Sequence, residues 1–171
     1  MDDLKALIRD VPDFPKAGIV FKDITPLLAD AEAFDRALAH MARPWQGNGV
    51  THVIGIESRG FIVGSPVASR LGAGFVPVRK PGKLPWRTVS QSYSLEYGTD
   101  SLEAHADAVG PGDRVVIIDD VLATGGTGAA TIALMRSLGA EVVGFGVLVE
   151  LGFLGGRGRI PVHLEAVIRV D

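Results

Sequence analysis

The stretch Val115-Val116-Ile117-Ile118-Asp119-Asp120-Val121-Leu122-Ala123-Thr124-Gly125-Gly126-Thr127-Gly128-Ala129-Ala130 constrains the fold more than any other part of the chain. Its aliphatic run, Val115 to Ile118, reads as a strand covered on both faces, the pattern of a parallel sheet. Asp119 and Asp120 close that strand, and in open α/β sheets ligands bind outside the carboxyl ends of the strands, beside the next helix. Gly125, Gly126 and Gly128 allow a tight turn, while Thr124 and Thr127 supply hydroxyls and an N-cap for a helix expected from about Ala129 to Leu138. Backbone N–H groups at such a helix start attract anions. Two carboxylates beside an anion site would repel a bare phosphate, so they are expected to face sugar hydroxyls or a bound Mg²⁺. The whole stretch predicts a site for a ribose phosphate.

Other phosphate loops do not fit. A Walker loop requires a lysine after its last glycine, and none follows Gly125, Gly126 or Gly128. A dinucleotide fingerprint requires a third glycine where Thr131 stands, and an acid some twenty residues downstream rather than just upstream. The blander reading, in which the acids end a strand and the glycines merely punctuate a turn, leaves the threonines and the acid pair together without a purpose.

The rest of the chain supplies the frame. Helical spacing predicts helices over Asp3 to Arg9 and over Ala31 to Met41, the second capped by Asp30. Strands are expected at His52 to Ile56, Gly74 to Arg79, Ser90 to Tyr97, Arg114 to Asp119 and Val142 to Val149. A helix over Phe61 to Leu71, stopped by Gly72, separates the first two. This alternation predicts one α/β domain with a mostly parallel central sheet flanked by helices.

A chain of 171 residues can bury a sizeable core, and its net charge of -3 argues against a nucleic-acid surface. No apolar run approaches the roughly 18 residues of a membrane span, and Asp2 and Asp3 stand where a signal peptide would be basic. The expectation is a soluble, cytoplasmic protein. Cysteine is absent, which removes disulfides and thiol chemistry, and His40, His52, His105 and His163 lack the spacing of metal ligands.

Further stretches carry chemistry of their own. Glu57-Ser58-Arg59-Gly60 follows a strand, so Arg59 reaches the carboxyl edge, where a guanidinium can fork onto phosphate oxygens or simply be solvated. Arg79-Lys80-Pro81-Gly82-Lys83 joins cations to backbone punctuation, as suits a phosphate contact before a mobile flap or an ordinary solvated face. Alternation of Tyr93, Leu95 and Tyr97 puts Glu96 on the opposite face of a strand.

Taken in order, these stretches resemble the adenine phosphoribosyltransferases, a branch of the type I phosphoribosyltransferases. The likeness rests on the acid pair with Ala123-Thr124-Gly125-Gly126-Thr127. It extends to Phe14-Pro15, Gly18 to Ile24, Glu57 to Phe61, Arg79 to Pro85 and Tyr93 to Gly98. The resemblance implies an N-terminal hood over about residues 1–30, a flexible lid over about 81–97, and transfer of 5-phosphoribosyl from phosphoribosyl pyrophosphate (PRPP) to adenine. It implies that Asp119, Asp120 and Ala123 to Thr127 hold the ribose phosphate, and that Arg59, Lys80 and Lys83 meet pyrophosphate. By the same resemblance, Glu96 is expected to assist proton movement and Tyr97 to cover the reaction centre. The resemblance also implies that Phe21 stacks on the purine, that backbone groups of Val20 and Lys22 read its edge, and that Leu151 closes the pocket. It further implies Mg²⁺ carried mainly by the substrate, a non-proline cis peptide at Glu57–Ser58, and a homodimer with Arg59 near its interface. Ala17 departs from the proline frequent in the family, and the tail from Gly155 to Asp171 matches loosely. Two alternatives stay open: an enzyme for 6-oxopurines, and a non-catalytic sensor of PRPP or purine.

Overall fold

The computed structural model describes residues 2–94 and 98–171. Its centre is a five-stranded sheet of order β4-β3-β7-β8-β9, formed by Gly74–Val78, His52–Ile56, Arg114–Leu122, Glu141–Leu151 and Leu164–Val170. Every neighbouring pair in this sheet is parallel. The apolar runs are explained by burial on both faces. In β3 and β7, Ile54, Ile56, Val115 and Ile117 join one core with α5 (Gly126–Ser137), whereas Val53, Val116 and Ile118 join another with α3 (Ala31–Ala42) and α4 (Arg59–Leu71).

Local signals place the helix ends. Asp30 caps α3 by accepting from Ala33 N–H at 3.0 Å, and Gly72 ends α4 in the left-handed conformation at φ 63°. Two small antiparallel ribbons flank the main sheet: β1 (Arg9–Val11) with β2 (Phe21–Asp23), and β5 (Thr88–Ser94) with β6 (Thr99–His105). Two short helices, α1 (Asp2–Lys5) and α2 (Thr25–Ala29), complete the N-terminal part.

Several expectations are corrected. The helix over Asp3 to Arg9 stops at Lys5, and Arg9 instead opens β1 opposite Asp23. So short a helix has little stability of its own, and the ribbon claims Arg9 through its ion pair with Asp23 at 2.6 Å. The strand expected at Ser90 to Tyr97 runs from Thr88 to Ser94, with residues 95–97 outside the described set. The helix after the glycines begins at Gly126, not Ala129, and its N-cap is Gly125 with no side-chain cap, so neither Thr124 nor Thr127 caps it. Strands β1, β2, β6 and β9 have no counterpart among the strands the sequence predicts.

The strand order contains one reversal. From β3 the chain crosses through α4 outward to β4, and β7 then lies on the other side of β3. Helices that leave adjacent strands toward opposite sides open a crevice at the carboxyl ends, here those of β3 and β7.

Candidate active site

The crevice receives Glu57 to Arg59 from the end of β3 and Asp119 and Asp120 from β7. It is a cleft of about 770 Å³, lined at the β7 end by Asp119, Asp120, Ala123 and Thr127. Arg59 and Lys80 line it too, and Val20, Phe21, Lys22 and Leu151 border the opposite end. Residues from remote parts of the chain are thus brought to one space. Thr124, Gly125 and Gly126 line an adjoining cavity of about 100 Å³ beneath the turn.

The acid pair is deeply placed, Asp119 at 9% and Asp120 at 6% exposure. Asp119 Oδ1 accepts from the Asp120 N–H at 2.9 Å. Burial and the adjacent Asp120 charge hold the Asp119 carboxyl well above the ordinary aspartate range. Arg59 Nε stands 2.7 Å from Asp120 Oδ2. The charges pair, but the approach lacks hydrogen-bond alignment, and Oδ2 remains buried without a hydrogen-bond partner among the described residues. The Arg59 charge compensates this oxygen, and its open hydrogen-bonding capacity would accept from a sugar hydroxyl or a hydrated cation.

The turn before α5 is shaped for an anion. Gly125 takes φ 82°, turning the chain so that α5 starts at Gly126. The first N–H groups of a helix have no partner within it, so those of Gly126 to Gly128 are available to a phosphate. Thr127 keeps its hydroxyl 3.4 Å from Tyr93 Oη.

The cations are all held by carboxylates. The Glu57–Ser58 peptide is cis, and the Glu57 carboxylate accepts from Arg79 Nε at 3.1 Å, Lys80 N–H at 3.0 Å and Lys83 Nζ at 2.5 Å. Burial works to raise its pKa, but those donors prevail and the carboxyl lies below the usual glutamate value. Lys80 Nζ binds Asp100 and also Tyr93 Oη at 3.2 Å. Burial opposes its charge, yet the bonds to Asp100 and Tyr93 raise its pKa overall. From the sequence, Glu57, Arg79 and Tyr93 are named only as members of motifs and Asp100 is not named, so the partners found here are not among the expectations. Tyr93 and Asp100 face each other across the β5–β6 ribbon, a pairing that becomes visible only once that ribbon is formed.

At the other end, Phe21 packs edge-on against Phe14, ring centres 5.2 Å apart, and the Arg59 guanidinium covers it at 5.1 Å. Lys22 Nζ turns to Asp10 at 2.6 Å. The ribbon is braced by Asp23, whose pKa falls to about 2 because the Thr25 N–H, Arg9 and the Thr25 hydroxyl all donate to it. Glu96 and Tyr97 lie outside the described residues. No group of three or more His, Cys, Asp or Glu among the described residues is arranged to hold a metal.

The phosphoribosyl transferase domain family matches residues 24–162. An adenine phosphoribosyltransferase from Streptomyces clavuligerus is 58% identical over 164 residues, 96% of this chain and 92% of the relative. The crystal structure of the Rhodothermus marinus adenine phosphoribosyltransferase is 54% identical and superposes with a TM-score of 0.95, covering 99% of this chain and 97% of that one. That of the Saccharomyces cerevisiae enzyme, complexed with adenine and an imino-altritol bisphosphate, is 35% identical with a TM-score of 0.91 and covers 97% of each chain.

Proposed function

This chain belongs to the adenine phosphoribosyltransferase family, and we propose that its cleft transfers 5-phosphoribosyl from PRPP to adenine, giving AMP and pyrophosphate, by dividing the labour between the two ends just described. The bond from the anomeric carbon to pyrophosphate breaks, a bond from an adenine nitrogen to that carbon forms, and the base loses a proton. The sugar carbon gains positive character as the leaving group departs.

The observation that carries the reading is one cleft lined by Asp119, Asp120, Thr127 and Phe21, in which Asp120 Oδ2 is ion-paired to Arg59 but has no aligned hydrogen bond, with the start of α5 at Gly126 adjoining it. Asp119 and Asp120 face the ribose hydroxyls and favour a positive sugar. N–H groups from Ala123 to Thr127 hold the 5-phosphate. Arg59, Lys80 and Lys83 exchange their carboxylate partners for pyrophosphate oxygens. Phe21 stacks on the purine, Val20 and Lys22 offer backbone groups to its edge, and Leu151 forms the facing wall, so base choice needs no charged side chain. Glu96 and Tyr97 keep the proton-moving and covering roles that the resemblance assigns them. Residues 1–30 act as the hood and 81–97 as the lid.

Mg²⁺ fits this donor set. Paired oxygen ligands, one lacking a hydrogen-bond partner, suit a hard cation that arrives on a polyphosphate and retains water, rather than one caged by protein. Asp119 and Asp120 are the residues that would meet it, and it would supply neutralisation of pyrophosphate charge.

The enzyme is read as a cytoplasmic homodimer. Exposed apolar side chains support association: Trp86 is exposed, as is Ile62, one turn from Arg59 on α4. Sedimentation at assay concentration tests it, and a fully active monomer would contradict it.

The deciding assay offers adenine, hypoxanthine, guanine and xanthine separately with PRPP and Mg²⁺ and measures each nucleoside monophosphate. Product from adenine alone is expected. A 6-oxopurine reverses the donor and acceptor pattern at the edge, so product from one would overturn the base assignment. PRPP binding without product from any base would indicate a sensor.

A further inference from the structure

The chain from Gly152 to Arg159, two 3₁₀ turns, lies against the loop that follows the acid pair. Contact is backbone to backbone. A Cβ on Gly156 would overlap the Ala123 carbonyl oxygen and stand 3.0 Å from Gly125 N, while one on Gly125 would come within 2.5 Å of the Gly156 oxygen. Gly156 is buried although its neighbours on both sides are exposed.

An anchor holds this turn. Glu150, 2% exposed, receives the fork of Arg157: Nε to Oε1 at 2.9 Å and Nη2 to Oε2 at 2.6 Å, with Nη1 donating to the Leu164 carbonyl at 3.2 Å. Glu150 is the register partner of Leu122, the residue before Ala123. The anchor therefore stands beside the strand end that launches the loop. Arg159, two residues past the anchor, makes no ion pair among the described residues, and its Nη1 is 3.9 Å from where a Cβ on Gly126 would stand. Gly126 opens α5.

A glycine-rich loop does not hold its N–H groups in one orientation unaided, since glycine has the most backbone freedom to lose. Affinity for a phosphate improves when that freedom has been removed beforehand. The cations at the other end of the cleft are already committed to Glu57, Asp100 and Asp120.

We propose that Gly152–Arg159 is the second wall of the 5-phosphate site: Glu150 and Arg157 are positioning residues that press Gly156 onto the Ala123–Gly125 backbone, and Arg159 is a phosphate-binding cation. The inference rests on the reading of this loop as the 5-phosphate cradle.

Three variants test it: Arg159→Gln, Arg157→Lys, which keeps the charge but loses the fork, and the double variant Glu150→Leu with Arg157→Met, which leaves no buried charge unpaired. Each is assayed for PRPP and adenine KM, kcat, melting temperature, and ribose 5-phosphate affinity by calorimetry. Loss of a charge-assisted phosphate contact at an exposed arginine predicts about a five- to tenfold rise in PRPP KM and a matching loss of ribose 5-phosphate affinity for Arg159→Gln. Arg157→Lys should move the same two quantities, with adenine KM unmoved in both. A purely structural turn would lower the melting temperature without that split. Should the double variant fail to fold, the two single variants decide. PRPP KM and ribose 5-phosphate affinity within about twofold of the parent in folded variants would overturn the wall, twofold being only ~0.4 kcal/mol. A parent that binds ribose 5-phosphate but forms no AMP would overturn the transfer reading instead, and the calorimetry would still decide the wall.

Discussion

The guanidinium of Arg59 lies 5.1 Å from the centre of the Phe21 ring, so an arginine launched from β3 covers an aromatic carried by the N-terminal ribbon. The same side chain brings Nε to 2.7 Å from Asp120 Oδ2. One residue thus spans the two ends of the cleft, and a base stacking on that face of Phe21 must displace it.

This geometry makes Arg59 and Phe21 separable. Phe21→Ala should raise adenine KM about tenfold, the upper range of an aromatic stack, with a smaller effect on kcat. Arg59→Gln should lower kcat by roughly a hundredfold, as for loss of one donor to a departing anion. Steady-state kinetics on both variants checks the split; the opposite pattern would reverse the two assignments.

Asp119 trades stability for function. Its carboxyl pKa is raised above the unfolded value, so the folded protein binds the extra proton and stability falls as pH rises from the ordinary aspartate value, ~3.9, through the raised one. Asp119→Asn keeps the Oδ1 acceptor but removes that penalty. It should melt no lower than the parent at neutral pH, with the difference shrinking on acidification, while turnover falls roughly a hundredfold or more. Replacing Asp120 as well should lower turnover further with the fold intact. Melting curves against pH and kcat measured together check this, and near-normal turnover in the double variant would remove the assigned role.

Gly60 marks a close approach of α4 to the acid pair. A Cβ there would stand 2.7 Å from Asp119 Oδ1 and 3.3 Å from the Ile118 carbonyl oxygen. Gly60→Ala should therefore destabilise by about 1–3 kcal/mol through overpacking, and should also raise PRPP KM because Asp119 is the atom that must yield. Denaturant unfolding and PRPP titration read the two effects separately.

Glu57 gathers Arg79, Lys83 and the Lys80 N–H, and its pKa lies below the ordinary value. Such a group stabilises above the unfolded pKa, ~4.3, and that contribution is lost as pH falls through the lower folded value. Glu57→Gln should cost about 1–3 kcal/mol at neutral pH by leaving those donors underused, and should flatten the acid limb of stability between about pH 5 and 3. Urea unfolding across that range checks both statements.

What was readable in advance was local. Asp119, Asp120 and the glycines stand consecutively, and a strand, a turn and a helix start are decided within such a span by aliphatic runs, glycine conformation and unpaired N–H groups. The strands β3, β4, β7 and β8 and helices α3, α4 and α5 carried enough residues to show their period. Three-residue strands such as β1 and β2 did not, because their pairing depends on ion pairs like Arg9 with Asp23 across the ribbon rather than on alternation.

Resemblance extended that reading to residues far apart, yet it did not disclose the contacts between them. The amino-acid sequence by itself determined that this protein would have a parallel sheet ending in an acid pair and an anion turn. Only the tertiary structure decided that Lys83 rests on Glu57, Lys80 on Asp100, Arg59 on Asp120 and Phe21, and that Gly156 backs Ala123. The reason is physical: backbone preferences act between near neighbours, whereas charge pairing and backbone-to-backbone contact depend on which strand ends the topology brings together and how much water it excludes there.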